Sequence, residues 1–118
     1  MIKVIVAGGR DFKDYELLRT KLDQALRNRL NEEIVVVSGK ARGADSLGER
    51  YAKERGYKIS SHPADWDTYG KAAGYIRNKE MAEEADVLMA FWDGKSRGTM
   101  HMINLAKEKG LKTLVVRY

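Results

Sequence analysis

The chain has 118 residues, 43% of them hydrophobic and 33% charged, which suits one globular domain with a single core of ordinary size. No apolar run approaches the roughly 18 residues of a membrane span, and the absence of cysteine removes disulfides and thiolate metal sites. A net charge of +5 favours an anionic partner without choosing one, and the basic residues are scattered, with no run of five that would mark a nucleic-acid arm.

The opening segment Met1 to Val6 is apolar but soon interrupted by Gly8-Gly9-Arg10, too early for a secretory signal. It reads as a buried strand over Ile2 to Ala7 in a cytoplasmic protein. Residues 13 to 30 place Leu18, Leu22, Leu26 and Leu30 at four-residue spacing, one face of a helix. A second strand is expected over Glu33 to Val37, a second helix from Ala44 to Arg55 stopped by Gly56, and a short strand over Tyr57 to Ser60. A third helix follows over Gly70 to Glu84, a fourth strand over Asp86 to Phe91, a fourth helix over Thr99 to Lys109 stopped by Gly110, and a last strand over Lys112 to Val116. The similar segments "AKERGYKI" from Ala52 and "AKEKGLKT" from Ala106 are two helix ends of the same design: basic residues in the last turn, then a glycine, then a strand.

Strands alternating with helices imply parallel strands joined by right-handed crossovers. The first, second and fourth strands are apolar nearly throughout, as strands covered on both faces must be. The expected fold is a single α/β domain over 1–118, a three-layer Rossmann-like sandwich with a five-stranded parallel sheet in the order 3-2-1-4-5.

Eight of the eleven glycines form four pairs, Gly8 with Gly9, Gly39 with Gly43, Gly70 with Gly74 and Gly94 with Gly98, each between a strand and the next helix. In a parallel sheet those loops share the carboxyl edge of the strands, where such folds bind ligands. Arg10, Lys40, Arg42, Arg77 and Arg97 fall near the same edge and suit phosphate. Asp45 opens the second helix, either as a cap or as a partner for ribose hydroxyls. Ser38 and Thr99 can cap or bind phosphate. Trp66, Tyr69 and Trp92 can stack on a base, although for Trp92, next to the fourth strand, core packing is the stronger reading. Gly39-Lys40 is not a nucleoside-triphosphatase loop, because Ile34 stands where the first glycine would be and Ala41 follows the lysine. His62 and His101 lack partners at metal-ligand spacing, so neither metal nor cofactor is expected.

The segments "GGRDF", "SGKARGADSLGERYA", "PADWDTYGKAAGYIRNKEM" and "DGKSRGTMHMI" resemble, in order and over nearly the whole chain, the YspA-like branch of the SLOG superfamily, frequent in bacteria and their phages. The resemblance implies a Rossmann-like fold with a nucleotide or nucleotide-derived ligand, in some members a signal, at the strands' carboxyl edge. It also implies a homo-oligomer, and it brings Asp65, Asn78 and Asp93 into the ligand-binding set with the residues above. The Lonely-guy branch of the superfamily hydrolyses nucleoside monophosphates with a Gly-Gly-x-Gly-Thr-x-x-Glu motif. Here Gly98-Thr99 matches, but Met102 stands at the glutamate, and methionine can neither transfer a proton nor stabilise an oxocarbenium-like centre. Asp65, Asp67, Asp93 or His101 would have to substitute. Lys40 stands where a small residue is expected. Three functions follow: a nucleotide-binding module, a nucleotide N-glycosidase, and a DprA-like single-strand binder, the last with salt-dependent affinity and stacking aromatics.

Overall fold

The computed structural model describes residues 1–118. Five strands, β1 (Ile2–Gly8), β2 (Ile34–Ser38), β3 (Lys58–Ser61), β4 (Val87–Trp92) and β5 (Lys112–Arg117), form one sheet in the order β3-β2-β1-β4-β5. All pairings are parallel; Ile5 at the centre is registered with Val37 on one side and Leu88 on the other. The helices are α1 (Tyr15–Leu26), α2 (Ala44–Arg55), α3 (Trp66–Tyr69), α4 (Ala73–Glu84) and α5 (Arg97–Glu108), with a 3-10 turn over Gly70–Ala72. No helix is long and apolar enough to cross a membrane.

Alternation along the strands divides the core in two. Val4 and Val6 of β1, Val36 of β2 and Met89 and Phe91 of β4 face one side, where Leu18, Leu22 and Leu26 of α1 and Tyr51 and Ala52 of α2 cover them. Ile5, Ala7, Val37, Leu88 and Ala90 face the other, under Met81 and Ala82 of α4 and Met102, Ile103 and Ala106 of α5. Each fully buried leucine or valine contributes about 1.5–3 kcal/mol relative to exposure. The central strands β1, β2 and β4 are buried along nearly their whole length, and the edge strands β3 and β5 only in part.

Most boundaries differ from the sequence reading by a residue or two, and three shifts have a visible cause. The first helix ends at Leu26, not at residue 30, and Leu30 is 65% exposed. Leu26 packs in the same cluster as Ile2 and Ile34, the first residues of β1 and β2, so a further turn would project past the sheet and bury nothing. The third helix starts at Ala73 instead of Gly70. Asp65 accepts a hydrogen bond from the Thr68 amide (3.1 Å) and opens the separate turn α3, which Gly70 breaks with a φ of 55°. The last helix starts at Arg97 rather than Thr99, because Ser96 is its cap. The Gly70–Gly74 pair therefore does not lie in one strand-to-helix loop: Gly70 separates two helical segments and Gly74 is inside α4.

The chain leaves β1 for α1 on one face of the sheet and leaves β4 for α5 on the opposite face. Between these neighbouring strands the connections diverge and open a crevice at the carboxyl edge. Helix α2 must also lie close to β1. A Cβ built on Gly48 would stand 2.7 Å from Cβ of Val6, a buried, branched side chain with nowhere to move. Gly48→Ala should therefore destabilise the protein by about 1–3 kcal/mol through overpacking, overriding the ~1 kcal/mol that alanine gains in helix propensity. Urea unfolding checks the sign; a higher midpoint would contradict this packing.

Candidate functional site

The crevice between the ends of β1 and β4 holds a cavity of about 510 Å³. Its apolar lining comes from Ala7 at the end of β1, Met81 of α4 and Met102 of α5. Gly8, Gly9, Arg10 and Asp11 line it from the loop after β1, Asp93 and Ser96 from the loop after β4, and Gly98 and Thr99 from the first turn of α5. Lys71, Gly74, Tyr75, Arg77 and Asn78 come from the 3-10 turn and α4, and Trp66 from α3. A second hollow of about 270 Å³ lies under Gly39, Lys40, Arg42, Pro63 and Ala64 and shares Arg10, Ala41, Trp66 and Arg77 with the first.

The loop from Ser38 to Asp45 is held by its own side chains. Ser38 is buried; its hydroxyl donates to Glu49 (2.7 Å) and accepts from the Lys40 amide (3.1 Å). Lys40 has a φ of 63°, unusual for a residue with a side chain, and its ammonium pairs with Glu49 at 2.9 Å. That charge is thus matched within the fold. The left-handed backbone gives a physical reason for a small residue to be expected at position 40. Asp45 is 5% exposed and accepts from the Ala41 amide (3.2 Å). Burial pushes its pKa up to about 6, against the opposing pull of the Ala41 amide and the Arg77 guanidinium. Gly43, with a φ of 73°, packs directly on the Gly9 carbonyl and the Arg10 backbone, leaving no room for a side chain. The Ala44 amide donates to the same Gly9 carbonyl (3.2 Å).

A polar chain crosses from this loop to α5. Arg77 donates to the Gly39 carbonyl (2.5 Å) and, through Nε, to Oδ1 of Asn78 (3.0 Å). Asn78 is 6% exposed; its amide group lies 3.3 Å from the Gly98 carbonyl and 3.2 Å from Nδ1 of His101. With Oδ1 taken by Arg77, the amide donates to Nδ1, so a neutral His101 carries its proton on Nε2. Burial holds the pKa of His101 below the ordinary value, and Tyr75 meets its ring edge-on at 4.6 Å. Burial likewise lowers Arg77.

On the opposite wall Asp93 accepts from the amides of Ser96 and Lys95, both at 2.8 Å, and these bonds lower its pKa. Ser96 caps α5 by accepting from the Thr99 amide (3.4 Å), and its hydroxyl meets that of Thr99 at 3.1 Å. Asp11 accepts from the Tyr118 hydroxyl (2.8 Å). All three acids in the cavity wall are thus already bonded within the fold.

Of the expected residues, the structure brings Gly8, Gly9, Arg10, Asp45, Trp66, Arg77, Asn78, Asp93, Gly98 and Thr99 to the larger cavity, and Gly39, Lys40 and Arg42 to the smaller. Others stand outside both, among them Asp67 and Tyr69, exposed on α3. Ser38 and Gly43 shape the loop behind the wall, and Asp65 caps α3. The Trp92 indole donates to the Ser96 carbonyl (3.1 Å) beneath the Arg117 guanidinium. Arg97 projects to solvent, and His101 orients Asn78. The sequence reading passed over Lys71, Tyr75 and Met81. With Gly74 and Asn78, Lys71 and Tyr75 form an i, i+3, i+4, i+7 series on the face of the helical segment towards the crevice, a periodicity legible in the sequence.

The raised pKa of Asp45 has a direct consequence for stability. Its folded value lies above the unfolded one, so the contribution is fully present below about pH 4 and is lost as pH rises through about 6. Unfolding free energies from pH 4 to pH 7.5 should decline by about 3 kcal/mol on this account, and Asp45→Asn should remove that part of the slope. Parallel pH profiles of the two proteins would show the carboxyl to be ordinary.

The model of the family described as "YspA, cpYpsA-related SLOG family" matches residues 2–69. Gene 61 protein of Mycobacterium phage D29 is 38% identical over 123 residues, covering 97% of this chain and 95% of that protein. Among solved structures, DNA processing protein A (DprA) from Streptococcus pneumoniae aligns with a TM-score of 0.72 at 21% identity over 98% of this chain. The chain spans 50% of the length of that protein. The protein TM1055 aligns with a TM-score of 0.68 at 21% identity, over 96% of this chain and 72% of its own. The two solved structures share the fold. With the match over more than half its length and a phage relative aligned nearly end to end, the chain belongs to the YspA, cpYpsA-related SLOG family.

Proposed function

We infer that the protein binds a nucleotide or nucleotide-derived molecule in the β1–β4 crevice. The observation that carries this reading is the make-up of the larger cavity. A volume of about 510 Å³, in the range of small-molecule sites, combines an apolar lining, an aromatic rim and cations at the topological switch point of a parallel sheet. Trp66 and Tyr75 are half exposed at that rim and offer faces to a base. Arg10 and Lys71 have no carboxylate within 4.0 Å, so their charges are available to phosphate. The first turn of α5, with Gly98 in the wall, adds the amides of a helix N-terminus.

The same wall speaks for binding over glycosidic hydrolysis. Met102 lies in the cavity lining, 1% exposed, where the hydrolase motif has its glutamate. Asp11, Asp45 and Asp93 each accept hydrogen bonds from the fold, so each is held in place by a structural partner. Base and ribose are held, in this reading, between the aromatic rim and the polar wall, and the phosphate by Arg10 and the α5 terminus.

Thermal unfolding against a panel of nucleotides tests the reading. A ligand at a hundred times its dissociation constant adds about 2.7 kcal/mol of stability. Arg10 is exposed and makes no ion pair, so Arg10→Ala should leave the melting temperature of the free protein unchanged while weakening the ligand about tenfold or more, the value of a charged hydrogen bond. Chromatography of the incubated nucleotides should show no free base. A panel without a single shift would rule the reading out, and base release would make the protein an enzyme.

A further inference from the structure

The two hollows differ in charge, and the difference points to the length of the phosphate chain. In the wall of the larger cavity three basic residues, Arg10, Lys71 and Arg77, stand against three acids, Asp11, Asp45 and Asp93. The smaller hollow has four basic residues, Arg10, Lys40, Arg42 and Arg77, and no acid. Lys40 is matched by Glu49, and Arg77 is bound to the Gly39 carbonyl with Asp45 nearby. Arg10 and Arg42 remain without a carboxylate within 4.0 Å. Arg10 belongs to both hollows, whereas Arg42 belongs only to the smaller. The loop amides nearby offer an anion little, since those of Lys40 and Ala41 are held by Ser38 and Asp45. A ligand entering the smaller hollow is therefore recognised by guanidinium groups rather than by a backbone cradle, and a neutral sugar or base would leave their charge unanswered.

We propose that the ligand carries at least two linked phosphates, the nucleoside filling the larger cavity, the first phosphate at Arg10 and the second beside Arg42 in the smaller hollow. This rests on the nucleotide reading above and narrows it to diphosphate-bearing nucleotides. The second phosphate is either terminal, as in a nucleoside diphosphate, or bridging, as in a diphosphate-linked nucleoside sugar; the same cations serve both.

Calorimetric titration of matched mono- and diphosphates of the four common ribonucleosides, with adenosine diphosphate ribose as the bridged form, decides the matter. For the preferred base, the diphosphate should bind about tenfold or more tightly than the monophosphate. Arg42 is exposed, so Arg42→Ala should fold normally; it should abolish that advantage while leaving the monophosphate constant within about twofold, and Arg42→Lys should retain part of it. Equal constants for mono- and diphosphate in the wild type would overturn the proposal and leave the nucleotide reading standing, as would an Arg42→Ala variant that weakens both alike. Failure of every nucleotide to bind would overturn both. An advantage kept by the bridged form assigns the second phosphate to a linkage, and one confined to the nucleoside diphosphate assigns it to a terminus.

Discussion

Everything in the crevice depends on how closely the chain can be approached where it leaves β1. Gly8 lies against Phe91 of β4 on one side and Ala44 of α2 on the other, with a Cβ at position 8 only 2.9 Å from that of Ala44. One residue on, the Gly9 carbonyl receives the Ala44 amide, and Gly43 rests on the same carbonyl. Gly8 and Gly43 thus let α2 start directly over the end of the central strand. A side chain at either would push α2 away, and the loop bearing Asp45 and the Arg77–Asn78 chain anchored to it would move as well.

That junction explains why polar groups can be buried so near the core. Arg77, Asn78 and Asp45 are costly to remove from water unless each finds partners. They find them in one another's neighbourhood, in the Gly39 carbonyl, the Ala41 amide and the Gly98 carbonyl, all on elements that end at the crevice. Most of the wall is therefore fixed within the fold itself, so a ligand of the proposed kind would order few groups and lose little entropy. Arg10, Arg42 and Lys71, which make no ion pairs, are the side chains still free to respond.

The fold was readable because its signals are periodic and strong. Short, β-branched apolar runs such as Val35-Val36-Val37 read as doubly covered strands, and strand–helix alternation leaves few topologies. Leu30 shows the limit: it continues a helical spacing, but the sheet has ended and there is nothing for it to cover. Several of the glycines and basic residues singled out in the sequence, Gly8, Gly9, Arg10, Gly39, Arg42, Gly74, Arg77 and Gly98, line the two hollows, because glycine loops and strand ends fall on one edge. The role of each residue was less legible. Asp45 and Lys40 have the chemistry of ligand contacts, yet the first is held by a loop amide and the second by Glu49, eleven positions after Ser38 and on the next helix. Tyr75 and Lys71 were missed because a crevice-facing stripe on a helix looks, in sequence, like any amphipathic surface.

The crevice lies between two strands that are neighbours in space and distant in the chain: Val4 pairs with Val87, and Gly8 with Phe91. The loop that bears Arg10 is further steadied from the last strand's side, where Tyr118 bonds Asp11 and packs edge-on against Phe12. During synthesis from the ribosome, β1, α1, β2 and α2 emerge and can pack before either partner exists. The crevice is thus among the last parts of the molecule to be assembled, and a nascent or prematurely ended chain can hold half a core without the cavity between β1 and β4.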